Sequence, residues 1–522
     1  MQHKQILTLA FLNGAGIMAF EMICGKMLAP FYGTSLEVWA VTLAVVMSGL
    51  ALGYWIGGRH SVKHNQVSSL CHLLFYAAIA VAVAPLLGKV LFAFAYNRFG
   101  TSGSIISSMV IILPYMVLAG MVSPILTQIT TTDHHAAGES AGKIFSLSTI
   151  GGVLATFLTG YWMIPSIGLE YAVVAVAGIY FVISFILLAG QPFKLNRHAW
   201  VASLLSLVLI CTSAFSVSTT LFPGVLYRQS GLYGELMVAD IPLEYNGKTY
   251  PRRMLLNNRV GQTNMNTYNK CSLWDYAHYL TNIAGAQPEN SNALLLGLAG
   301  GSIANEFINL NFNVDTVDLD PRVYQLASTF FNLSEKINFI EDDARHYLNT
   351  HPKIYDLIVI DLFTGEGVPN HILTRESLEL IKKRLSSSGI LIINFHGYLQ
   401  GDDGKGARAV YKTLVSKDFN TRYLVTPGKP GARNTLFVAT TNKDPQFFSN
   451  RTWRTSWCST DWRAPSPPLL VNMQPSMYKD APILQDEYPI LDRLNKAAYA
   501  DWRKYTIEHH LIELNKKGLP FF

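Results

Sequence analysis

The chain contains little charge for its length, and the deficit is confined to one half. Only 15% of its 522 residues are Asp, Glu, Lys or Arg, against about 25% in typical soluble proteins. From Ile6 to about Phe222 the sequence is a series of apolar runs, whereas the remainder has ordinary globular composition. A chain of this length can form two or more domains. The composition therefore predicts two halves of different kinds.

Long basic runs are missing, and cysteines are few. The net charge of +6 is not gathered into a basic run, so we expect no nucleic-acid partner. Cys24, Cys71 and Cys211 fall in the apolar runs, and Cys271 and Cys458 are isolated. Because these spacings match no common pattern, we expect neither a zinc site nor a disulfide framework.

The apolar half predicts a multi-span helical membrane domain over residues 1–222. Runs of about 20 apolar residues are long enough to cross a bilayer as helices. The first run lacks a small-residue cleavage site, so we expect it to be retained. Seven spans are predicted, at 5–28, 37–57, 70–90, 104–128, 145–165, 168–189 and 199–219. In the second span, Gly49, Gly53 and Gly57 recur every four residues, which predicts close helix–helix packing.

Two polar features interrupt this half. Glu21 lies deep in the first span, where a carboxyl group marks either a solute path or a hydrogen bond between helices. The loop residues Asp133, His134 and His135, with Glu139, resemble metal ligands, but adjacent loop histidines are more often simply solvated. No internal repeat typical of a transporter is evident. We therefore expect a lipid-embedded anchor, or a partner that shapes access to the second half.

The second half predicts an α/β domain. A hairpin region broken by "NGK" follows Pro223, and alternating strands and helices come after it. This alternation predicts a parallel sheet covered by helices on both faces. The expected strands are 293–296, 314–319, 337–340, 357–360 and 390–394, with 434–440 at the edge of the sheet. We assign the domain to 223–445 and predict that 446–522 is an extension packed on it.

Acidic residues follow successive strands of this predicted sheet. Gly297, Ala299 and Gly301 form a G-x-A-x-G turn after the first strand, where small residues let a ligand approach the backbone. Asp318 ends the second strand, at the position from which an acid can bind the hydroxyls of a ribose. Asp343 follows the third strand and Asp361 follows the fourth. The pattern predicts a nucleoside-type ligand at the carboxyl ends of the strands.

These motifs resemble the spermidine synthases, a polyamine aminopropyltransferase family with a Rossmann-like fold of the class I S-adenosylmethionine methyltransferase type. "RRMLLNNRVGQ" is similar to the family's R-x-L-x-L-D-G-x-x-Q, and "GLAGG" to its G-G-G-D-G. "VDLDP", "EDDA" and "IDLFTGEGVP" are similar to E-I-D-P, D-D-A and D-S-S-D-P-x-G-P. The likeness covers about 225–445, and the whole chain resembles bacterial membrane proteins described as fused transporter/spermidine synthase-like.

The resemblance implies a role for each matched residue. Asp318 would hold the ribose of decarboxylated S-adenosylmethionine, or of S-adenosylmethionine itself, and Asp343 with Ala344 would hold its adenine. Gly297, Ala299 and Gly301 would line its sulfonium side, and Gln262 its aminopropyl chain. Asp361 would orient and deprotonate the attacking amine as general base. No metal is implied.

The amine half of the site departs from the family. Thr364 stands where the family has a second acid, and Glu366 is the nearest substitute. The entrance segment "CSLWDYAHYL" keeps His278 but presents Asp275 and Tyr276 at a different spacing. We predict that Thr364, Glu366, Tyr276 and His278 contact an amine substrate that is not a simple diamine.

Two other functions remain open at this stage. A methyltransferase could use the same fold, and a binding or transport module could sense a nucleoside while the helices move a solute. We expect a multi-pass protein of the bacterial inner membrane, with a homodimer as a candidate assembly. On a seven-span count, six Lys and Arg residues lie on one side and three on the side that carries the α/β domain, which favours an external domain. Adenosyl cofactors are made inside the cell, however, and for this reason we predict the cytoplasmic side.

Overall fold

The computed structural model describes residues 3–62, 66–131, 137–189, 197–217, 224–245, 247–363, 367–431, 433–444, 446–455, 457–458 and 468–508. The chain divides into two compact units. The helical unit comprises Met1–Pro223, Gln229–Glu235 and Leu511–Phe522, and the α/β unit comprises Gly224–Arg228 and Leu236–His510.

The helical unit contains eight described α-helices. They are α1 (His3–Tyr32), α2 (Leu36–Ser61), α3 (Gln66–Phe99), α4 (Gly103–Ile111), α5 (Leu113–Thr130), α6 (Ala137–Phe157), α7 (Ile164–Ala189) and α8 (Arg197–Val217). Helix α2 packs closely on α5 through its glycine face. A Cβ atom at Gly53 would lie 2.4 Å from the Val117 carbonyl oxygen, and one at Gly57 would lie 2.6 Å from the Met121 Cα. The expected close packing at these glycines is confirmed.

Five helical stretches of the described residues are long and apolar enough to cross a membrane. They are His3–Tyr32, Leu36–Ser61, Ser69–Gly88, Leu113–Thr130 and Ala137–Ala189. The last stretch holds two of the seven predicted spans and is interrupted at Gly168, whose φ is 82°. The seventh predicted span falls on α8, whose apolar stretch Trp200–Ala214 is shorter. The helices are thus compatible with a membrane protein, and the number of crossings stays a prediction.

The α/β unit begins with a small antiparallel region. Its four-stranded sheet has the order β1-β2-β5-β6, and β3 pairs with β4 in a separate hairpin. The strands are β1 (Val225–Gly231), β2 (Gly234–Asp240), β3 (Leu243–Tyr245), β4 (Lys248–Tyr250), β5 (Arg252–Asn257) and β6 (Val260–Asn266). This region corresponds to the hairpin region predicted after Pro223.

A seven-stranded sheet forms the centre of the unit, with the order β12-β13-β11-β10-β7-β8-β9. Its strands are β7 (Asn292–Leu296), β8 (Asn313–Asp318), β9 (Asn338–Glu341), β10 (Tyr355–Ile360), β11 (Leu385–His396), β12 (Asn420–Val425) and β13 (Asn434–Thr440). All neighbouring pairs from β9 to β11 are parallel, whereas β13 runs antiparallel to β11 and β12. Because the chain order reverses beside β7, the carboxyl ends of β7 and β10 border a ligand-binding crevice.

Helices cover both faces of this sheet. They are α9 (Asp275–Ala284), α10 (Ser302–Asn309), α11 (Pro321–Phe330), α12 (Ala344–Thr350), α13 (Arg375–Arg384) and α14 (Lys405–Ser416). The apolar run of β10 is continuous because both faces of this strand are buried. Leu357 and Val359 enter the core on one face, and Ile358 and Ile360 enter the core on the other. A strand buried on both faces has no polar alternation.

Two sequence predictions about this unit are wrong. The strand over 434–440 is not at the edge, because β12 lies outside it. Strand β12 was missed because only Thr421 and Leu424 of its residues are buried, so it lacks the continuous apolar run of the central strands. Cys271 and Cys458 form a disulfide across 187 residues of sequence. A pairing over that distance is produced by the tertiary fold and leaves no spacing signal.

The extension after residue 445 lies on the α/β unit. The Arg454 N–H donates to the Gly285 carbonyl oxygen, and Val471 exchanges two backbone hydrogen bonds with Tyr423 of β12. Three short helices follow, α15 (Pro475–Tyr478), α16 (Leu491–Leu494) and α17 (Lys496–Thr506). Helix α17 reaches the carboxyl end of the central sheet, where Asn495 Nδ2 donates to the His396 carbonyl oxygen at 2.7 Å.

Candidate active site

A glycine turn joins β7 to α10 at the centre of the sheet. Gly297, Ala299 and Gly301 have φ values of 97°, 45° and 76°, in the region that glycine adopts most easily. A Cβ atom at Gly297 would lie 2.3 Å from the Asp361 carbonyl oxygen. Position 297 therefore requires glycine, because the turn is in direct contact with the end of β10.

Asp361 is held in place by two side chains. It follows β10, and its backbone N–H donates to the Leu296 carbonyl oxygen at 2.9 Å. Asn394 Nδ2 donates to Asp361 Oδ1 at 2.7 Å, and the Tyr276 hydroxyl donates to Oδ2 at 3.2 Å. Asn434 Nδ2 in turn donates to Asn394 Oδ1 at 2.9 Å, which fixes the orientation of the Asn394 amide. The carboxylate is thus preorganised from both sides.

The electrostatics around Asp361 suit a base. Burial raises the pKa of Asp361 to about 6, while the hydrogen bonds from Asn394 and Tyr276 oppose that rise. The same burial, with the neighbouring Asp361 charge, raises the pKa of Tyr276 well above its usual value. Tyr276 therefore stays protonated and donates. A carboxyl group with a pKa near 6 is ionised at neutral pH yet basic enough to accept a proton.

Asp361 borders two adjoining cavities of the α/β unit. The larger, which we call the acceptor cavity, has a volume of about 470 Å³. Its walls come from strands β3 to β6, the start of α9, the ends of β10 and β11, residues 426–429, the start of β13 and α17. The smaller, which we call the turn cavity, is narrow and borders the glycine turn. The walls common to both are Gln262, Asn264, Trp274, Tyr276, Ala299 and Asp361.

Unsatisfied polar atoms indicate a ligand in the turn cavity. Asn264 Oδ1 and Ser302 Oγ are buried without a hydrogen-bond partner among the described residues, and both side chains line this cavity. Buried polar groups are rarely left unpaired in native proteins. The turn cavity itself has a volume of only about 20 Å³, so these atoms fit the polar edge of a ligand that lies mainly outside it. Gln262, predicted to contact it, lines the cavity as well.

Asp318, the second acid of the predicted cofactor site, contacts the backbone of the turn. Asp318 Oδ2 accepts from the Leu298 N–H at 2.9 Å, and Oδ1 accepts from the Asp320 N–H at 3.1 Å. Burial raises the pKa of Asp318, while these backbone hydrogen bonds lower it. The backbone of Ala299 also hydrogen-bonds this carboxylate, so Asp318 stiffens the turn. A ribose contact by Asp318 stays a prediction.

Asp343 and Ala344 begin α12 and are not in either cavity. Asp343 caps the helix, accepting from the N–H groups of Arg345 and His346. It borders a separate surface depression together with Arg345, His346 and His371. The structure thus brings the turn, Gln262 and Asp361 together, with Asp318 directly behind the turn. An adenine contact by Asp343 stays a prediction.

The residues predicted to contact the amine lie in different places. Tyr276 lines the acceptor cavity and contacts Asp361. His278 is buried, its Nε2 lies 2.8 Å from the Ser272 carbonyl oxygen, and it lines neither cavity. Thr364 and Glu366 lie outside the described residues, as do the loop residues Asp133, His134 and His135.

Several residues of the site were missed by the sequence. Asn394 follows the four apolar residues Ile390–Ile393 of β11, and Asn434 opens β13. A polar residue near the carboxyl end of a central strand was the signal available for Asn394. His396, Trp502 and Tyr505 also line the acceptor cavity. Nothing in the sequence links α17 to the site, because Trp502 lies 141 residues beyond Asp361 in the chain.

Comparisons with known proteins show which proteins the chain is similar to. The chain is 30% identical over 171 residues to a polyamine aminopropyltransferase from Vibrio vulnificus, covering 31% of this chain and 56% of that one. It is 25% identical over 156 residues to a probable polyamine aminopropyl transferase from Bifidobacterium longum, covering 29% and 34%. The α/β unit is spermidine synthase-like.

Other comparisons place limits on this likeness. The spermidine synthase-like unit is also similar to an N-terminal histidine N-methyltransferase from Emericella nidulans, 34% identical over 112 residues and covering 20% of each chain. The chain spans about half or less of the length of these curated relatives. No protein-family model matches it.

Solved structures were compared as well. A probable spermidine synthase from Corynebacterium glutamicum covers 48% of this chain and 97% of its own, at 16% identity and a TM-score of 0.37. The spermidine synthase from Thermotoga maritima covers 52% and 88%, at 12% identity and a TM-score of 0.35.

Proposed function

We propose that the protein is a membrane-anchored aminopropyltransferase that uses decarboxylated S-adenosylmethionine and an amine acceptor. The observation that carries the proposal is the position of Asp361. It is fixed by Tyr276 and Asn394 and stands between the turn cavity and the acceptor cavity. From this position, Asp361 can take a proton from an amine in the acceptor cavity while that amine attacks a group on the side of the turn cavity.

The proposed reaction needs one proton acceptor. Asp361 takes a proton from the ammonium form of the acceptor, and the freed nitrogen lone pair attacks the aminopropyl carbon bonded to sulfur. The new C–N bond forms as the C–S bond breaks, and the bonding electrons remain on sulfur, which becomes the neutral thioether of methylthioadenosine. A second proton leaves the new secondary ammonium or stays on it according to pH. A positioned general base contributes about 10²–10⁴-fold to such a step.

A methyltransferase is the second candidate, because the chain is similar to an N-methyltransferase. Product analysis of the purified full chain separates the two. Incubation with decarboxylated S-adenosylmethionine, or with S-adenosylmethionine, and a mixture of amines is expected to release methylthioadenosine. Release of S-adenosylhomocysteine instead would identify methyl transfer. Release of neither product, with retained adenosyl binding, would support a binding module and contradict the proposal.

The side of the membrane is part of the proposal. The six-to-three bias of Lys and Arg favours an external α/β unit, and the Cys271–Cys458 disulfide favours an oxidising compartment. The intracellular origin of adenosyl cofactors, which led to the cytoplasmic prediction, opposes both. We propose the extracytoplasmic side, because both the charge bias and the disulfide favour it. An α/β unit on that side needs its co-substrate to be delivered across the membrane.

A further inference from the structure

The walls of the acceptor cavity carry little negative charge, which bears on the amine it takes. Among the described lining residues only Asp275 and Asp361 are acidic, and Arg252 and Lys429 add positive charge. A diamine brings two ammonium groups, and each requires an anionic partner when it is removed from water. Position 364, where a second acid is expected, is Thr. Asp275 is exposed, and the two basic residues offset the charge of the two acids, so the buried part of the cavity is suited to one ammonium group, at Asp361.

Aromatic side chains form much of the remaining wall. Trp502 and Tyr505 of α17 stack with ring centroids 5.5 Å apart and an interplanar angle of 18°. His396 lies against Trp502 at 4.9 Å, and Trp274 lies beside Tyr276 at 5.8 Å. Aromatic rings favour offset-stacked or edge-to-face contacts with other flat groups. The wall is thus chemically matched to a flat, apolar body.

His396 makes the far end of the cavity neutral. It stands two residues beyond Asn394 on the same face of β11, about 7 Å farther along the strand at about 3.3 Å per residue. Its side chain is 4% exposed, and burial lowers the pKa of His396 to about 4. The imidazole is therefore uncharged at neutral pH and supplies no anion for a second ammonium. Neither ring nitrogen makes a well-formed hydrogen bond within the described residues.

Helix α17 is a fixed part of this wall. Asn495, at its start, is fully buried and donates to the His396 carbonyl oxygen at 2.7 Å. A Cβ atom at Gly397 would lie 2.5 Å from Asn495 Oδ1, and one at Gly406 would lie 3.1 Å from Asn495 Cβ. Two glycines thus make room for the start of α17. The helix is seated by close packing, so Trp502 and Tyr505 are held at the cavity.

We propose that the acceptor is an aromatic monoamine, whose ammonium group is bound at Asp361 and whose ring packs against the Trp502–Tyr505 stack. This inference rests on the proposed aminopropyl transfer and adds the substrate class. It assigns a specificity-determining role to a helix that lies beyond the region of family resemblance. Trp502 and Tyr505 line only the acceptor cavity, so they act on the acceptor and not on the adenosyl group.

The test compares amines and variants of the full chain in detergent. Methylthioadenosine release is measured with phenethylamine, tyramine and putrescine as acceptors. The aromatic monoamines are expected to show kcat/KM values at least about 10-fold above that of putrescine, since burying one ring contributes well over 1.4 kcal/mol. Trp502→Ala and Tyr505→Ala are expected to raise the KM for phenethylamine about 10-fold, with less change in kcat and none in adenosyl affinity. Tyr488→Ala, an exposed tyrosine of the same extension, is the matched control and is expected to leave all values unchanged.

Three results would overturn the inference. Preferred turnover of putrescine, lost in Asp275→Asn, would show that Asp275 holds a second ammonium; aminopropyl transfer would stand and the substrate class would be wrong. Unchanged phenethylamine KM in both α17 variants would remove the aromatic wall from the site. Absence of methylthioadenosine with every amine, despite adenosyl binding, would refute the proposed function and this inference with it.

Discussion

The two sides of the active site are built in different ways. On the cofactor side, the turn from Gly297 to Gly301 and the acid at the tip of β8 are set by residues close together in the chain. On the acceptor side, the walls come from regions spread along the chain between β3 and α17. The cofactor side therefore follows family patterns, whereas the acceptor side is free to vary. In the proposed function, the chemistry therefore rests on the residues that match family patterns, and the choice of acceptor rests on residues that do not.

Removing the base at the boundary of the two sides is expected to have the largest effect. Asp361→Asn keeps the shape of the side chain but cannot accept the proton, so kcat should fall at least about 100-fold. The affinity for the adenosyl ligand should barely change, because that ligand is expected at the glycine turn and the amine is expected in the acceptor cavity. Steady-state kinetics and calorimetry measure the two quantities. A fully active variant would mean that Asp361 only terminates β10.

The cofactor side is tested by Asp318→Ala. Its carboxylate accepts from the Leu298 N–H and is expected to hold the ribose. A hydrogen bond to a charged group contributes about 1.5–3 kcal/mol, so adenosyl affinity in calorimetry should weaken about 10- to 100-fold. Trp502→Ala, on the acceptor side, is the matched control and should bind the ligand normally. Equal affinity of Asp318→Ala and the wild type would remove the ribose from this position.

Sequence reasoning was accurate where local patterns set the structure. The turn glycines and the acids after β8 and β10 lie where strand–turn–helix patterns predicted them. It failed where distant parts of the chain meet. The Cys271–Cys458 disulfide, the edge strand β12 and the seating of α17 at His396 depend on tertiary packing. Substrate contact by His278 stays a prediction, and its ring lies within hydrogen-bond distance of the Ser272 carbonyl oxygen.

The pH dependence should distinguish an oriented base from a merely buried one. Since burial raises the pKa of Asp361 to about 6, kcat/KM should rise with pH through about 6 as the carboxyl group ionises. Asn394 donates to the ionised form, so Asn394→Ala should move this limb to higher pH, by about one unit for a hydrogen bond worth about 1.4 kcal/mol. Tyr488→Ala should leave the profile unchanged. A limb that stays in place, or moves to lower pH, would show that Asn394 does not stabilise the carboxylate.

Removing the disulfide should change turnover less than the substitutions described above. Cys271 precedes the segment that carries Tyr276, and Cys458 lies in the extension that carries α17. The Cys271→Ser/Cys458→Ser pair should lower the free energy of unfolding by about 2–4 kcal/mol, while turnover at low temperature stays close to that of the wild type. Thermal unfolding and methylthioadenosine release measure the two effects. Equal thermal stability of the variant would mean that the bond does not constrain the native protein.

The redox state of Cys271 and Cys458 in cells reports which side of the membrane carries the α/β unit. If the α/β unit is extracytoplasmic, mass spectrometry of the protein alkylated in intact cells should find Cys271 and Cys458 joined, and alkaline phosphatase fused after Phe522 should be active. Since disulfides persist in oxidising compartments, free thiols at both positions, with a bright fluorescent-protein fusion, would place the unit in the cytoplasm. The intracellular supply of the co-substrate would then need no transport step. An oxidised pair with an active phosphatase would instead make delivery of an adenosyl compound the first function to test in the helical unit, starting from Glu21, which is buried within α1.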